Sequence, residues 1–235
     1  MCGRFAQTLS AEQIARFFDA EPRADDAGNR YNVAPTQNLL AVIEENDRRV
    51  VTTFRWGLIP PWADNPQVGS RMINARGETV AEKPAFRAAF RRQRCIIPAA
   101  AFYEWKTIGG RKIPHAIMRQ DGKPMAFAGL WSTWRDPATG ETIRSATIIT
   151  TTANEALAPL HDRMPVILPE SSWDAWLDPG FDNVGALQSF LGPCPADQLR
   201  AYPVSSRVNN VRNDGPDLLG ADQGNSIAPQ VADPC

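Results

Sequence analysis

The sequence predicts an α+β fold built on a strongly curved antiparallel β-sheet or open barrel-like core, with short helices around it. Runs of apolar and β-branched residues typical of strands recur along the first two thirds of the chain. Twenty prolines and sixteen glycines interrupt these runs, which keeps the elements short. Because 235 residues fit one hydrophobic core, we expect a single domain over residues 2–219.

The clearest helix signal is the segment LSAEQIARFF, residues 9–18. Ser10 is placed to cap this helix, and Gln13 stands three residues later, as in a capping box. Leu9 and Ile14 have the spacing of a hydrophobic staple across the same end. We therefore predict a helix that begins directly after Ser10.

Strands and further short helices follow along the chain. NLLAVIE and RRVVTTF, joined by the polar turn ENDR, predict a hairpin. The other predicted strands are RCIIP, AFYEW, PHAIMR, MAFAGLW and TIRSATIIT. Short helices are predicted for PAFRAAFR, with Pro84 in its first turn, and for TANEALAPL, SSWDAWL and VGALQSFL. The polar segment 220–235 has no apolar periodicity and is expected to be a disordered tail.

The composition argues against several classes of protein. No run of about 18 apolar residues occurs and the N-terminus lacks the pattern of a secretion signal, so we expect a cytoplasmic protein without a membrane span. The four cysteines form no CxxC pair, and the two histidines lie far apart in the sequence. We therefore expect neither a metal site nor a cofactor.

The charges are distributed unevenly, although the net charge is only −1. Residues 1–120 hold 18 basic and 12 acidic residues, a balance of +6, whereas residues 121–235 hold 7 and 14, a balance of −7. Arginine supplies 21 of the 25 basic side chains, and its planar guanidinium suits phosphate oxygens. A GC-rich genome would produce the same bias, so arginine content alone leaves a nucleic-acid partner open.

The N-terminal sequence MCGRF places a cysteine directly after the initiator methionine. Removal of Met1, which a small second residue permits, leaves Cys2 with an α-amine and a thiol on adjacent carbons. An amine with an ordinary pKa of about 8 adds to an aldehyde to give a Schiff base, and the thiol then closes a five-membered thiazolidine ring. The simpler alternative is a cysteine without a role at a mobile terminus.

Candidates for proton transfer lie in polar segments between the apolar runs. Glu104 stands among aromatic residues on a predicted strand, and burial there would raise its pKa towards neutrality. His161 is a second candidate, because histidine is the side chain whose ordinary pKa lies in that range. Taken one at a time, each has a simpler explanation: Glu104 as an exposed strand residue, His161 as a structural histidine, and Asn74 as a turn cap. Beside Cys2, however, an acid–base pair makes a usable active site.

An aldehyde-reactive terminus among arginines suits a substrate that is both an aldehyde and an anion. The ring-opened deoxyribose of an abasic site in DNA is such a substrate, because it exposes an aldehyde between two phosphates. Phosphate contacts are assigned to Arg4, Arg76, Arg87, Arg91, Arg92 and Arg94. In the segment FRWGLIPPW, Trp56 and Trp62 are candidates for stacking on unpaired bases, with a core position for Trp56 as the equal alternative.

Nine motifs, in order along the chain, resemble those of the SRAP family, the SOS-response-associated peptidases or abasic-site processing proteins. They are MCGRF, YNVAPTQ, WGLIPPW, INARGET, RCIIPAAAFYEW, FAGLW, TTANE, HDRMPVIL and VNNVRND. The resemblance implies a protein that recognises abasic sites in single-stranded DNA and at single-strand/duplex junctions, and crosslinks to them. It implies no membrane partner and, in a bacterium, a location at the nucleoid.

Matching by motif also implies roles for individual residues. Cys2 is the nucleophile, and Asn74 positions the terminus and the sugar. Glu104 is the acid/base of Schiff-base formation, and His161 assists ring chemistry and crosslink reversal. The predicted DNA-binding residues are Gly3, Arg4, Trp56, Trp62, Arg76, Arg87, Trp105 and Thr150. The word peptidase in the family name reflects proposed self-removal of Met1, which an aminopeptidase would equally explain.

Two other functions fit part of the sequence. An N-terminal-nucleophile cysteine amidohydrolase would use Cys2 to attack an amide, with its own α-amine as the base. That class gives no reason for the arginines and the aromatic segment. A nucleic-acid-binding module without catalysis would use those residues and leave Cys2 without a role.

Overall fold

Short strands dominate the chain in the computed structural model, which describes residues 2–24 and 29–222. In chain order the elements are β1 (Phe5–Gln7), α1 (Ala11–Phe18), β2 (Glu21–Pro22), β3 (Arg30–Val33), β4 (Asn38–Glu45), β5 (Arg48–Trp56), β6 (Asn74–Arg76), α2 (Arg87–Arg92), β7 (Arg94–Ala99), β8 (Ala101–Ile108), β9 (Arg111–Arg119), β10 (Met125–Arg135), β11 (Thr142–Thr152), β12 (Arg163–Pro165), α3 (Trp173–Leu177), α4 (Val184–Ser189) and β13 (Leu199–Pro203). Single turns of 3-10 helix occupy Pro66–Arg71, Glu170–Ser172, Ala196–Gln198, Ser206–Asn209 and Pro216–Leu219.

Five strands form a barrel in the order β11, β10, β7, β4 and β5. Neighbours in that order are antiparallel. A parallel pairing of β11 with β5, which sets Ser145 beside Arg55 and Ala146 beside Trp56, closes the ring. The predicted α+β fold with a strongly curved antiparallel sheet is therefore confirmed, and this parallel contact makes the barrel closed where the sequence predicted an open one.

The β4–β5 hairpin shows why the sequences of the barrel strands are continuously apolar. Its two-residue turn has positive φ at Asn46 (53°) and Asp47 (59°), as a type I′ turn requires. Every residue from 39 to 43 is buried, because one face of β4 lines the barrel and the other lies under α1. The hairpin predicted from NLLAVIE, ENDR and RRVVTTF is confirmed.

A second antiparallel sheet lies against the barrel, with the strand order β13, β9, β8, β1 and β3. One face packs on the barrel core through Phe5, Phe102 and Ile117. The other face packs against Val204, Val208 and residues near them in the C-terminal part of the chain. The N-terminal strand β1 therefore lies between two cores, which fixes the start of the chain.

The first helix follows its sequence signals. The Ser10 hydroxyl accepts a hydrogen bond from the Gln13 backbone N–H (3.3 Å), and the Gln13 side-chain oxygen accepts one from the Ser10 backbone N–H (2.9 Å). This reciprocal pair satisfies two N–H groups that the first turn would otherwise leave free. The predicted capping box is therefore confirmed.

Two helix predictions need correction. Helix α2 begins at Arg87, so Pro84 lies in the turns before the helix and not in its first turn. The helix predicted for TANEALAPL is wrong, because residues 155–160 form turns. The Asn154 side chain accepts from the Leu157 backbone N–H (3.1 Å) and donates to the Cys194 carbonyl (3.0 Å), which anchors the segment in a turn.

The predicted tail falls mostly on residues 223–235, outside the described part of the chain. Of its first residues, Ala221 forms an isolated antiparallel bridge with Val204, and the Asp222 backbone N–H donates to the Pro203 carbonyl (3.0 Å). Among the helices of residues 2–24 and 29–222, none has the length and apolar content needed to span a bilayer.

Candidate active site

Cys2 lies three residues before the start of β1 and is fully buried. Its backbone carbonyl accepts a hydrogen bond from Asn74 Nδ2 at 2.9 Å. Asn74 is the first residue of β6, where it pairs with Ile148 of the barrel strand β11. The barrel therefore holds the beginning of the chain through Asn74.

Glu104, on strand β8 of the second sheet, also lies near Cys2. Strand β8 pairs with β1 so that Phe102 lies opposite Phe5, and the Tyr103 backbone N–H donates to the Arg4 carbonyl (2.9 Å). Continuing this antiparallel register places Glu104 beside Gly3, one residue from Cys2. Glu104 is only 5% exposed, so the expectation that it faces inward is confirmed.

Burial controls the ionisation of both groups. Burial raises the pKa of the Glu104 carboxyl above its ordinary value, and the positive charge of His161 opposes that rise. Burial also raises the pKa of the Cys2 thiol far above its ordinary value, and the negative charge of Glu104 raises it further. The thiol is therefore protonated at neutral pH, beside a carboxyl that exchanges protons closer to neutrality than an exposed glutamate does.

His161 lies at the end of the turns of residues 155–160. Its Nδ1 lies 2.9 Å from the Arg163 backbone nitrogen. The Asp162 carboxylate is 2.7 Å from the same Nδ1 and pairs with the ring when it is protonated. An open cleft of about 560 Å³ is lined by His161, Asp162, Arg163 and the side chains of Arg76 and Thr79, among others.

Arg4 bridges the N-terminal strand and the C-terminal part of the chain. Its Nη1 donates to Asn32 Oδ1 (2.9 Å) and to the Val208 carbonyl (2.8 Å). Its guanidinium carbon lies 6.0 Å from the centre of the Trp105 ring. Burial lowers the pKa of Arg4 below its usual value. Arg4 lies two residues from Cys2 in the chain, and these contacts occupy part of its hydrogen-bonding capacity.

Four of the other predicted DNA-binding residues are accessible to some degree. Trp62 is 63% exposed on the loop after β5. Arg76, at the end of β6, and Arg87, at the start of α2, are exposed. Trp105 is partly buried, and its indole N–H donates to Asn209 Oδ1 (2.7 Å). Of this group, the structure brings Arg76 into the cleft that contains His161.

Two predicted DNA-binding residues are buried instead. Trp56 is fully buried, donates its indole N–H to the Ile73 carbonyl (2.9 Å) and packs edge-on against Phe5 at 5.1 Å. Base stacking by Trp56 is therefore wrong, and the core alternative is correct. Thr150 is also fully buried, and its carbonyl accepts from the Gly77 backbone N–H (2.8 Å), so its side chain offers DNA no surface in this conformation.

Arg94, one of the predicted phosphate contacts, also has a structural position. It is 2% exposed and donates to five backbone carbonyls. Nε donates to Trp176 (2.6 Å), Nη1 to Phe90 (3.0 Å) and Arg91, and Nη2 to Phe181 (3.0 Å) and Asp178. A guanidinium shared among five carbonyls has no N–H left for a phosphate, so the prediction is wrong for Arg94.

Sequence reasoning missed two groups beside the site. Arg163 forms a double hydrogen bond with the Glu78 carboxylate, at 2.5 and 2.9 Å. Asn32, fully buried, accepts from Arg4 and donates to the carbonyls of Val208, Asn210 and Asn213. The only sequence signal for either group is that its residues lie within the quoted motifs. In the described part of the chain, no three His, Cys, Asp or Glu side chains lie together as metal ligands would.

Comparison with known proteins finds a family and relatives that match most of the chain. The family model for SOS response associated peptidases (SRAP) matches residues 1–211. Abasic site processing protein YoqW of Bacillus subtilis is 43% identical over 222 residues, which cover 93% of this chain and 99% of YoqW. Abasic site processing protein YedK of Escherichia coli is 34% identical over 228 residues, with coverage of 93% and 99%.

The fold is also found in a solved structure. A crystal structure of a protein from Bacteroides thetaiotaomicron superposes with a TM-score of 0.85 at 25% identity, covering 94% of this chain and 100% of that one. Fold, motifs and sequence identity lead to one assignment. The chain belongs to the SOS response associated peptidase (SRAP) family.

Proposed function

We propose that this protein processes abasic sites in DNA. It binds them in single-stranded DNA and at single-strand/duplex junctions, and it joins them covalently to Cys2 after Met1 is removed. One observation carries the proposal: Cys2 is fully buried, is held by Asn74, and lies close enough to Glu104 for the carboxylate charge to raise the pKa of its thiol. The names of the relatives add support. In a cell we place the protein in the cytoplasm, at the nucleoid if bacterial, within the SOS response to DNA damage.

The first bond joins the Cys2 nitrogen to C1′ of the ring-opened sugar. The neutral α-amine attacks the aldehyde, and the carbonyl oxygen takes up a proton to give a carbinolamine. Glu104 then donates a proton to the hydroxyl, which leaves as water, and a protonated Schiff base (iminium) remains. The raised pKa of Glu104 supports this step, because a larger fraction of the carboxyl is protonated near neutrality than in an exposed glutamate.

The second bond joins the Cys2 sulfur to the same carbon. The thiol is protonated at neutral pH, so it must lose its proton as the C–S bond forms. The Glu104 carboxylate, which gave up its proton in the previous step, accepts it, and the C=N electron pair returns to the nitrogen, which already carries the hydrogen of the ring amine. The product is a thiazolidine formed with the net loss of one water. The Schiff base is also the intermediate from which lyase-type chemistry would proceed.

Asn74 and His161 support the reaction at Cys2, Asn74 by positioning and His161 by proton transfer. Asn74 holds the Cys2 carbonyl, which limits rotation of the residue that carries both the amine and the thiol. His161, in the cleft with Arg76, exchanges protons during ring chemistry and during reversal, when the C–S bond opens and water hydrolyses the imine. Met1 leaves beforehand, through self-removal or through an aminopeptidase.

The DNA strand is held by exposed groups around the cleft. Arg76 and Arg87 supply cations for phosphates, and Trp62 supplies a face for an unpaired base. Gly3, Arg4 and Trp105 lie beside Cys2 and contact the nucleotides next to the abasic site. Single strands are preferred because stacking on an aromatic side chain requires an unpaired base.

Intact mass of the purified protein tests the proposal. We expect loss of Met1 and, after incubation with a single-stranded oligonucleotide carrying one abasic site, an adduct heavier by the oligonucleotide minus one water. Cys2→Ala, and an oligonucleotide whose abasic site is a tetrahydrofuran without an aldehyde, should give no adduct. Retention of Met1 would exclude the amine chemistry, and loss of Met1 without an adduct would favour the amidohydrolase.

A further inference from the structure

Arg163 and Glu78 form an ion pair that spans β11. This strand lies between β6, which contains Asn74, and β12, which follows His161. Neither member of the pair is one of the proposed reacting groups. Arg163 Nη1 lies 2.5 Å from Glu78 Oε1, and Arg163 Nη2 lies 2.9 Å from Glu78 Oε2. The Arg163 side chain is 14% exposed and that of Glu78 is 49% exposed. Two parallel N–H···O bonds fix orientation as well as distance, which a single contact between flexible side chains does not.

The pair connects two short strands that flank β11. On one side, β6 pairs with β11 so that Arg76 lies beside Thr150, and Glu78 follows two residues later. On the other side, β12 pairs with β11, and Arg163 lies opposite Thr152. The Thr150 carbonyl accepts from Arg163 Nη2 (2.7 Å) as well as from the backbone N–H after β6. Glu78 therefore ties β12 to the end of β6.

The Glu78–Arg163 ion pair is connected to His161 through Arg163. The Arg163 backbone N–H contacts His161 Nδ1 at 2.9 Å, so the residue that Glu78 holds by its side chain supports the imidazole by its main chain. At the other end of the ion pair, Glu78 lies four residues after Asn74, whose side chain contacts Cys2. Because the Glu78 side chain is half exposed, the ion pair contributes modestly to overall stability, so its geometry matters here more than its energy.

We propose that Glu78 is a positioning residue that, through Arg163, sets the His161 ring relative to the Cys2–Asn74 end of the site. The inference rests on the proposed function in assigning His161 to crosslink reversal. Glu78 touches neither the reacting atoms nor Cys2, so its loss should slow crosslink reversal, to which His161 is assigned, much more than Schiff-base formation, which uses Glu104. A residue with a purely structural role would slow both steps together.

The test compares Glu78→Gln with Glu82→Gln, a matched control four residues further on, whose exposed carboxylate makes no ion pair within the described residues. We expect Glu78→Gln to slow crosslink reversal about tenfold while formation stays within about twofold, because misplacing one acid–base group costs less than deleting it. Glu78→Asp, which keeps the charge, should recover part of the rate. Combined with His161→Ala, Glu78→Gln should add no further loss.

A second readout needs no crosslink. In DNA-free protein, the imidazole titration of His161 followed by NMR should change in Glu78→Gln and stay as in wild type in Glu82→Gln. An unchanged titration, or wild-type reversal kinetics in Glu78→Gln, would overturn the inference. So would a further loss in the double variant. Absence of any adduct in the wild type would instead overturn the proposed function, and the titration would still decide the role of Glu78.

Discussion

Replacing Arg94 with methionine separates its two possible roles, a phosphate contact and a support of the fold. Methionine keeps most of the apolar stem and removes the guanidinium that five backbone carbonyls share. Those carbonyls belong to the last turn of α2, to the end of α3 and to the chain that follows it. Burial lowers the pKa of Arg94 to about 10, so the cation persists at neutral pH.

The size of the effect follows from these bonds. A hydrogen bond to a charged group contributes about 1.5–3 kcal/mol, but five bonds on one cation are not additive, and carbonyls near the surface regain water. We therefore expect a loss of about 3–5 kcal/mol in the free energy of unfolding. For a chain of this size each kcal/mol lowers the Tm by roughly 2–4 °C, so the expected fall is on the order of 10 °C.

Thermal unfolding followed by circular dichroism measures this loss. Arg92→Met is the control, because the Arg92 side chain is 72% exposed with a single contact to Asp182 at 3.6 Å. At low temperature, where Arg94→Met remains folded, its affinity for single-stranded DNA and the salt dependence of binding should match wild type. A wild-type Tm combined with a smaller salt dependence would refute the structural role and restore Arg94 as a phosphate contact.

Three further predictions test the site. Glu104→Gln should slow crosslinking by roughly 10²–10⁴ with little loss of DNA affinity, and equal losses in both would exclude a catalytic role. The same variant should speed alkylation of the Cys2 thiol, since the charge of Glu104 raises the pKa of that thiol; peptide mass spectrometry should show slower labelling in wild type. Arg76→Gln and Arg87→Gln should each reduce the slope of log affinity against log salt by about 0.7, which titrations at several salt concentrations measure; an unchanged slope removes that residue from the interface.

Local signals in the sequence predicted local structure correctly. The Ser10 cap and the β4–β5 turn depend on residues within four positions of one another, so their patterns can be read directly. The TANEALAPL segment was mispredicted because the Asn154 side chain bonds to Cys194, forty residues away, and no helical pattern reports such a contact.

The sequence indicates which single residues are unusual better than it indicates which residues they contact. Cys2 and Glu104 stand out as candidates because an N-terminal aminothiol and a carboxyl among aromatic residues are unusual on their own. Arginine does not reveal its role in this way, since the same side chain is exposed at Arg87, buried under five carbonyls at Arg94 and paired with a carboxylate at Arg163. Long-range packing decides among these roles.

The buried position of Cys2 also bears on the choice between the proposed crosslinking and amide hydrolysis. A cysteine amidohydrolase depends on a thiolate, whereas burial and the neighbouring Glu104 carboxylate both raise the pKa of this thiol. In crosslinking the amine reacts first, and the thiol needs to lose its proton only when the imine carbon is already beside it. A site that keeps its thiol protonated until the amine has captured an aldehyde suits that order and protects the sulfur from other electrophiles. In the proposed mechanism, the same carboxylate that suppresses the free thiolate is then the base that receives its proton, so one buried group would enforce the sequence of the two steps.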